Sequence, residues 1–227
     1  MDFGGSSPVW QAEAAMHHRR IHAVGVLLPD GKVLVVGGMQ SHNHYMTGEE
    51  FEDHMLSGEH GVLTPEMFDP EQHTWTMMAA QQRARLYHST ALLLPDGRVI
   101  SMGSNPYAGM VEKSIEVFSP PYLFSSERPV VTGTLPESLG YGETFVLTVE
   151  KPRQVGQVVL MRPDVITHVT NTDQRLVELE FKVSGERRLE VLSPPSPNHL
   201  PNGYALLFVL NNDGVPSIGK FIRVGGS

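Results

Sequence analysis

One unit of sequence occurs twice in the first half of this chain, and that repeat limits the folds open to it. The first copy runs from Trp10 through Arg20-Ile21-His22 and Leu27-Leu28-Pro29-Asp30-Gly31-Lys32-Val33 to Gly37-Gly38. The second runs from Trp75 through Leu86-Tyr87-His88 and Leu93-Leu94-Pro95-Asp96-Gly97-Arg98-Val99 to Gly103. His22 and His88 stand 66 positions apart, as do Asp30 and Asp96. In each copy an apolar run meets Pro-Asp-Gly, where Asp-Gly suits a tight hairpin with positive φ, and a second β-branched run follows. The stretches Thr64 to Pro70 and His73 to Met77 supply two more short strands. Four antiparallel strands per unit is the layout of a propeller blade. The period is longer than the ~50 residues of a kelch blade, and the excess sits in the loop from Met39 to Val62.

Met1 to Trp10 resembles the end of a blade, so the chain is expected to begin in a blade's last strand. Propellers close with roughly 4–8 blades, and two are visible. The chain therefore reads as the C-terminal piece of a longer protein; the alternative is a small twisted sheet packed on the next domain. From Ser119 the texture changes. Pro120-Pro121 and Arg128-Pro129 punctuate a linker, and short alternating strands follow at Phe145–Val149, Gln157–Met161, Leu176–Phe181, Arg188–Val191, Ala205–Leu210 and Lys220–Val224. About seven strands in ~100 residues suits an immunoglobulin-like sandwich. The expected fold is all-β: a partial kelch β-propeller of about two blades over residues 1–122, then an immunoglobulin-like β-sandwich over 123–227.

The net charge of −8 contains no long acidic run and speaks against nucleic acid as a partner. No apolar stretch approaches the roughly 20 residues of a membrane span, and no signal peptide is visible in the polar first segment. The chain has no cysteine, which excludes a disulfide framework, a thiolate metal site and a cysteine nucleophile within it.

Several phrases are more specific than the repeat. They are Leu86-Tyr87-His88-Ser89, Leu92 to Val99, Phe118-Ser119-Pro120-Pro121-Tyr122-Leu123, Thr167-His168-Val169-Thr170-Asn171-Thr172-Asp173-Gln174-Arg175, and Gly203-Tyr204 through Gly214-Val215-Pro216-Ser217. Across essentially the whole chain these resemble the C-terminal half of galactose oxidase and the glyoxal oxidases. The resemblance implies a copper-radical oxidase, in which one copper ion is held by two tyrosines and two histidines. One of those tyrosines carries a thioether cross-link to cysteine and stores a radical. Metal and radical take two electrons from a small aldehyde or primary alcohol, and O2 becomes H2O2. By motif, Tyr87 matches the tyrosine that is not cross-linked and accepts the substrate's proton. His88 and His168 match the two copper histidines, His168 being delivered by a loop of the C-terminal domain. The cross-linked pair has no counterpart here, because there is no cysteine, and the chain alone is expected to be inactive. The family implies a secreted, extracellular parent.

The donor types agree with that chemistry. Imidazole and oxygen donors in a tetragonal array suit Cu(II), and a tyrosine oxygen near the metal can act as a general base. Neighbouring residues of a regular strand point to opposite faces, so Tyr87 and His88 can share one ion only at a strand start or a kink.

His22, the repeat counterpart of His88, is expected to be structural or to support the site, and Ile21 stands where relatives often carry an aromatic residue facing the substrate. The loop from Met39 to Val62, with His42, His44, His54 and His60, reads as a solvated insertion that shares the face of Tyr87 and forms a rim over the opening. His17-His18-Arg19-Arg20 reads as a solvated basic turn, and Phe68, Trp75, Phe118 and Phe208 as core. Two rival functions stand beside the oxidase: a non-catalytic kelch-plus-sandwich module binding carbohydrate or protein, and a copper-binding relative with no radical.

Overall fold

The computed structural model describes residues 10–40, 61–105 and 111–225. The first repeat copy folds as a four-stranded antiparallel sheet of β1 (Val24–Leu27), β2 (Val33–Val36), β3 (Glu66–Asp69) and β4 (Thr74–Met77), in that spatial order. The second forms β5 (Ser89–Leu93), β6 (Val99–Gly103) and β7 (Ile115–Phe118). Asp-Gly makes the first turn of both: Gly31 and Gly97 adopt φ of +81° and +83°, a conformation open to a residue without a Cβ. Their amides donate back to the carbonyls of Leu28 and Leu94. The inner strands β1 and β5 lie against each other, and Val24, Val26, Leu34, Ala91 and Val99 form their common core.

After a 3-10 turn at Pro121–Phe124 the chain enters two facing sheets. One holds β8 (Val131–Thr132), β10 (Thr144–Val149), β15 (Phe181–Val183) and β16 (Arg188–Leu192). The other holds β9 (Ser138–Leu139), β11 (Val155–Met161), β14 (Leu176–Glu178), β17 (Gly203–Asn211) and β18 (Lys220–Val224). A separate hairpin, β12 (Ile166–Thr167) and β13 (Thr170–Asn171), projects from between β11 and β14.

Strand β17 explains how the two parts hold together. Side chains alternate across a strand, so Ala205, Leu207 and Val209 enter the core between the two sheets. Leu206, Phe208 and Leu210 point the other way, onto Leu27 and Leu93 of the blades. The continuous apolar run of β17 is thus a strand buried on both faces. The polypeptide is a three-layer all-β assembly, two blades of an open propeller against a sandwich. Among the described residues no helix is long and apolar enough to cross a membrane.

Three expectations change. The run Leu176–Phe181 is two strands, because the chain crosses between the sheets at Leu179 and Glu180: the Leu179 amide donates to Val158 of one sheet, and the Leu192 amide donates to Glu180 from the other. That switch keeps Leu179 and Phe181 in one core. The basic stretch before β1 is not a solvated turn. The Arg20 side chain is buried and ion-paired with the fully buried Glu66, which also accepts from the backbone amides of His17 and His18. Of the four aromatics expected in the core, Phe208 is fully buried and Phe118 is partly buried against the blade core; Phe68 and Trp75 instead form a half-exposed ring pair with centroids 5.0 Å apart.

The blades meet at one close backbone approach. Gly38 donates its amide to the Arg85 carbonyl at 2.7 Å. A Cβ on Gly37, where φ is +69°, would lie 2.3 Å from the Arg85 carbonyl oxygen. Both the positive φ and the contact penalise a side chain, so Gly37→Ala is expected to cost about 2 kcal/mol or more, read as a lower urea midpoint. An unchanged midpoint would show that this approach is not needed.

Candidate metal centre

The floor of the site is buried backbone just before β5. Ala84, Arg85 and Leu86 are fully buried. Arg85 donates to the carbonyls of Gly103 and Ser114, to the Ser114 hydroxyl and to Glu116, while the Leu86 amide donates to Ser104 Oγ at 3.0 Å. On this floor stands a turn closed by the Ser89 amide on the Leu86 carbonyl, with Tyr87 and His88 at its centre. His88 has φ of +60°, the positive third position of a type II turn. The turn breaks the strand alternation that would otherwise send the two side chains to opposite faces. Their ring centroids are 4.0 Å apart.

Asn105 braces both residues. Its amide donates to the Tyr87 carbonyl at 2.8 Å, and its carbonyl lies 2.9 Å from His88 Nδ1. A carbonyl only accepts, so Nδ1 carries the hydrogen and Nε2 keeps its lone pair for a metal. This is the arrangement that fixes ligating histidines elsewhere.

His168 comes from the other half of the chain. The hairpin β12–β13 closes on two residues, His168 at φ +53° and Val169 at φ +60°, the double positive φ of a type I′ turn. Ile166 and Val169 pack into the core shared by β1 and β5. His168 Nδ1 is 2.7 Å from the Thr167 hydroxyl, so that ring nitrogen is engaged within the hairpin. The His168 ring centroid is 5.1 Å from that of His88 and 5.9 Å from that of Tyr87. His22, at φ +59°, places its ring centroid 4.8 Å from that of Tyr87.

The structure therefore gathers Tyr87, His88 and His168 at one place, and sets His22 against Tyr87. A nitrogen bound at about 2 Å leaves its ring centre roughly 3 Å from the ion, so two imidazoles on one ion have centres about 4–6 Å apart. The His88–His168 separation of 5.1 Å lies in that range. His88 and His168 are exposed and Tyr87 is half-buried, so the donors are open to solvent and solutes. Among the described residues no group of three or more His, Asp or Glu side chains forms a metal site; the rings that meet here are two imidazoles and a phenol. His42, His44, His54 and His60 lie outside the described residues. The ends of their loop, Met39 and Gly61, bridge to each other, and Met39 also bridges to Ile21. Sequence reasoning missed the supports Asn105 and Arg85, whose roles depend on contacts distant in the chain, and gave no role to Thr167 beside His168.

Similarity to known proteins extends over both parts of the fold. Residues 1–122, more than half of the chain, match the family model Glyoxal oxidase N-terminus, and residues 128–224 match Galactose oxidase-like, Early set domain. The chain is 33% identical over 229 residues to galactose oxidase of Gibberella zeae, covering 97% of this chain and 32% of that protein. It is 30% identical to an aldehyde oxidase of Arabidopsis thaliana, covering 99% of this chain and 38% of that protein. It is 34% identical to an aldehyde oxidase of Vitis pseudoreticulata, with 96% and 43% covered. Among solved structures, a fungal alcohol oxidase in complex with copper superposes with a TM-score of 0.80 at 30% identity, covering 95% of this chain and 44% of that one. The chain thus spans between about a third and a little over two fifths of the length of these relatives. It belongs to the glyoxal oxidase and galactose oxidase family.

Proposed function

We propose that Tyr87, His88 and His168 hold one copper ion and form the C-terminal share of a copper-radical oxidase that converts a small aldehyde or primary alcohol, with O2, into the oxidised product and H2O2. The observation that carries this reading is the convergence of the three rings from two separate parts of the fold. Two imidazoles with Nδ1 already engaged and one phenol match what Cu(II) prefers. When bound, copper supplies a Lewis acid that also exchanges one electron.

The chain's own residues do the rest of the work at this site. Tyr87 is placed to take the proton of a substrate hydroxyl, that of a primary alcohol or of an aldehyde's hydrate, at its phenolic oxygen, and the His22 ring centroid lies 4.8 Å from that of the phenol. Ile21 next to it is 36% exposed and offers an aliphatic wall, which suits a small aldehyde or alcohol better than a sugar ring that needs an aromatic to stack on. The thioether cofactor needs a cysteine, which this chain lacks, so H2O2 production by these 227 residues alone is expected to be negligible. We assign the intact oxidase to the extracellular space, with its substrate and O2 as partners.

Titration of the chain with Cu(II), followed by electron paramagnetic resonance, tests the reading. One tetragonal Cu(II) per chain is expected, lost in His88→Ala and lost or altered in Tyr87→Phe. If the wild-type chain shows no stoichiometric tetragonal signal, the non-catalytic binding module becomes the better reading.

A further inference from the structure

Asp164 and Gln174 bracket the hairpin that carries His168, one before β12 and one after β13. Each takes a backbone amide from a different blade. Leu93 donates its N–H to Asp164 Oδ2 at 2.7 Å, and Leu27 donates its N–H to Gln174 Oε1 at 2.7 Å. Leu27 and Leu93 are repeat equivalents, 66 positions apart, and each ends the inner edge strand of its sheet. In both hairpins the next residue makes the ladder bond: Leu28 to Lys32 and Leu94 to Arg98. By the alternation of an antiparallel pair, the amides of Leu27 and Leu93 point away from their own sheets, toward the hairpin. An inner-edge amide needs an acceptor, and the two flanks of one hairpin supply both.

The connection continues to the tip. The second oxygen of Asp164 accepts from the Asn171 side-chain amide. Asn171 Oδ1 in turn accepts from the Val165 amide at 3.1 Å, and the Thr172 amide donates to the Val165 carbonyl at 2.9 Å. At the base, Arg162 pairs with Asp173 at 2.8 Å. A chain of hydrogen bonds thus runs from β5 through Asp164 to the residue three positions past His168.

We infer that Asp164 and Gln174 are positioning residues that register the His168 hairpin on both blades at once and so set the distance from His168 to Tyr87 and His88. This rests on the reading that those three side chains share one copper ion. Loss of an outer support of a metal ligand lowers affinity by roughly 10–100-fold. Asp164→Ala is expected to weaken Cu(II) binding within that range. Gln174, which is more exposed, is expected to give a smaller loss as Gln174→Ala, and Gln174→Glu, which keeps the acceptor, is expected to resemble wild type.

The test measures two things on the full chain. Hydrogen exchange and ring-to-ring nuclear Overhauser effects are read without metal, and Cu(II) affinity is read by titration. Asp164→Ala should release the Leu93 amide and weaken the His88–His168 ring contact, and Gln174→Ala should release the Leu27 amide, with Leu189 and Val191 of β16 still protected. If the ring contact is unchanged in both variants, or if affinity is unchanged in chains that bind copper, the inference is overturned. If the wild-type chain shows the ring contact and its loss in Asp164→Ala, yet binds no copper, the copper reading falls and the positioning role stands.

Discussion

His168→Asn is expected to weaken Cu(II) binding by more than about a hundredfold, beyond what loss of an outer support removes, while leaving the chain at least as stable as wild type. The stability half of this expectation comes from the backbone. His168 and Val169 both occupy positive φ, at +53° and +60°. For an L-residue that conformation costs roughly 1–2 kcal/mol, and asparagine tolerates it best among residues with a side chain. A type I′ turn prefers Asn-Gly in these two positions. This hairpin instead has histidine followed by a β-branched residue, for which positive φ is a true outlier.

The valine has a packing role, since it joins the core between β1 and β5. The histidine side chain is exposed, so its removal opens no cavity. Asparagine should therefore recover a few tenths to about 1 kcal/mol, or up to about 4 °C in melting temperature. A purely structural histidine would give the opposite sign. Copper affinity unchanged in His168→Asn would remove this residue from the site. Residues held in sparsely populated backbone regions cluster at functional sites, and the same signature marks His88 at +60°.

This backbone signature also shows where the sequence was informative. The Pro-Asp-Gly turns, the alternating strands and the two motifs around Tyr87-His88 and His168 could be read directly, because each depends on residues close in the chain. The position of the three rings relative to one another depends on how a hairpin 80 residues downstream inserts between two blades, and local pattern is silent on that. Arg20 illustrates the same limit. Within Arg19-Arg20 after two histidines it looks like a solvated charge, yet it is buried because Glu66, far along the chain, enters the sheet at the first position of β3. Arg85 repeats the device one residue out of register: it bonds the Gly103 carbonyl as Arg20 bonds that of Gly37, and pairs with Glu116 of β7 as Arg20 pairs with Glu66 of β3. The strand run at Leu176–Phe181 misled for a related reason, since alternation describes one strand as well as two strands that share a core.

Glu66→Ala is expected to cost about 3–5 kcal/mol, the usual range for removing one partner of a buried ion pair. Glu66 is completely buried and holds the segment that leads into β1. It accepts from Arg20, from the backbone amides of His17 at 2.6 Å and His18 at 3.0 Å, and lies 2.9 Å from His17 Nδ1. Burial alone would raise its pKa, but the His17 and His18 amides, the His17 ring and Arg20 together bring it down to about 2 from 4.5. A folded-state value below the unfolded one means that the carboxylate stabilises the fold above the ordinary carboxylate range. That contribution is lost as pH falls from about 4.5 through about 2. The shift corresponds to about 3 kcal/mol, in line with the mutational range. In the variant Arg20 keeps its bonds to the carbonyls of Gly37 and Thr64 but faces no anion. Denaturant midpoints of wild type and Glu66→Gln should therefore differ most at pH 7 and converge toward pH 2, where the wild-type carboxyl is about half protonated in the folded chain and almost fully protonated in the unfolded one. Replacing both partners by apolar residues, as in Arg20→Met with Glu66→Leu, should recover part of the loss, because the uncompensated guanidinium is gone; the amides of His17 and His18 still lack their acceptor, which keeps recovery incomplete. A gap between wild type and Glu66→Gln that stays the same from pH 7 to pH 2 would show that the charge on Glu66 contributes nothing and that its shape alone anchors the blade.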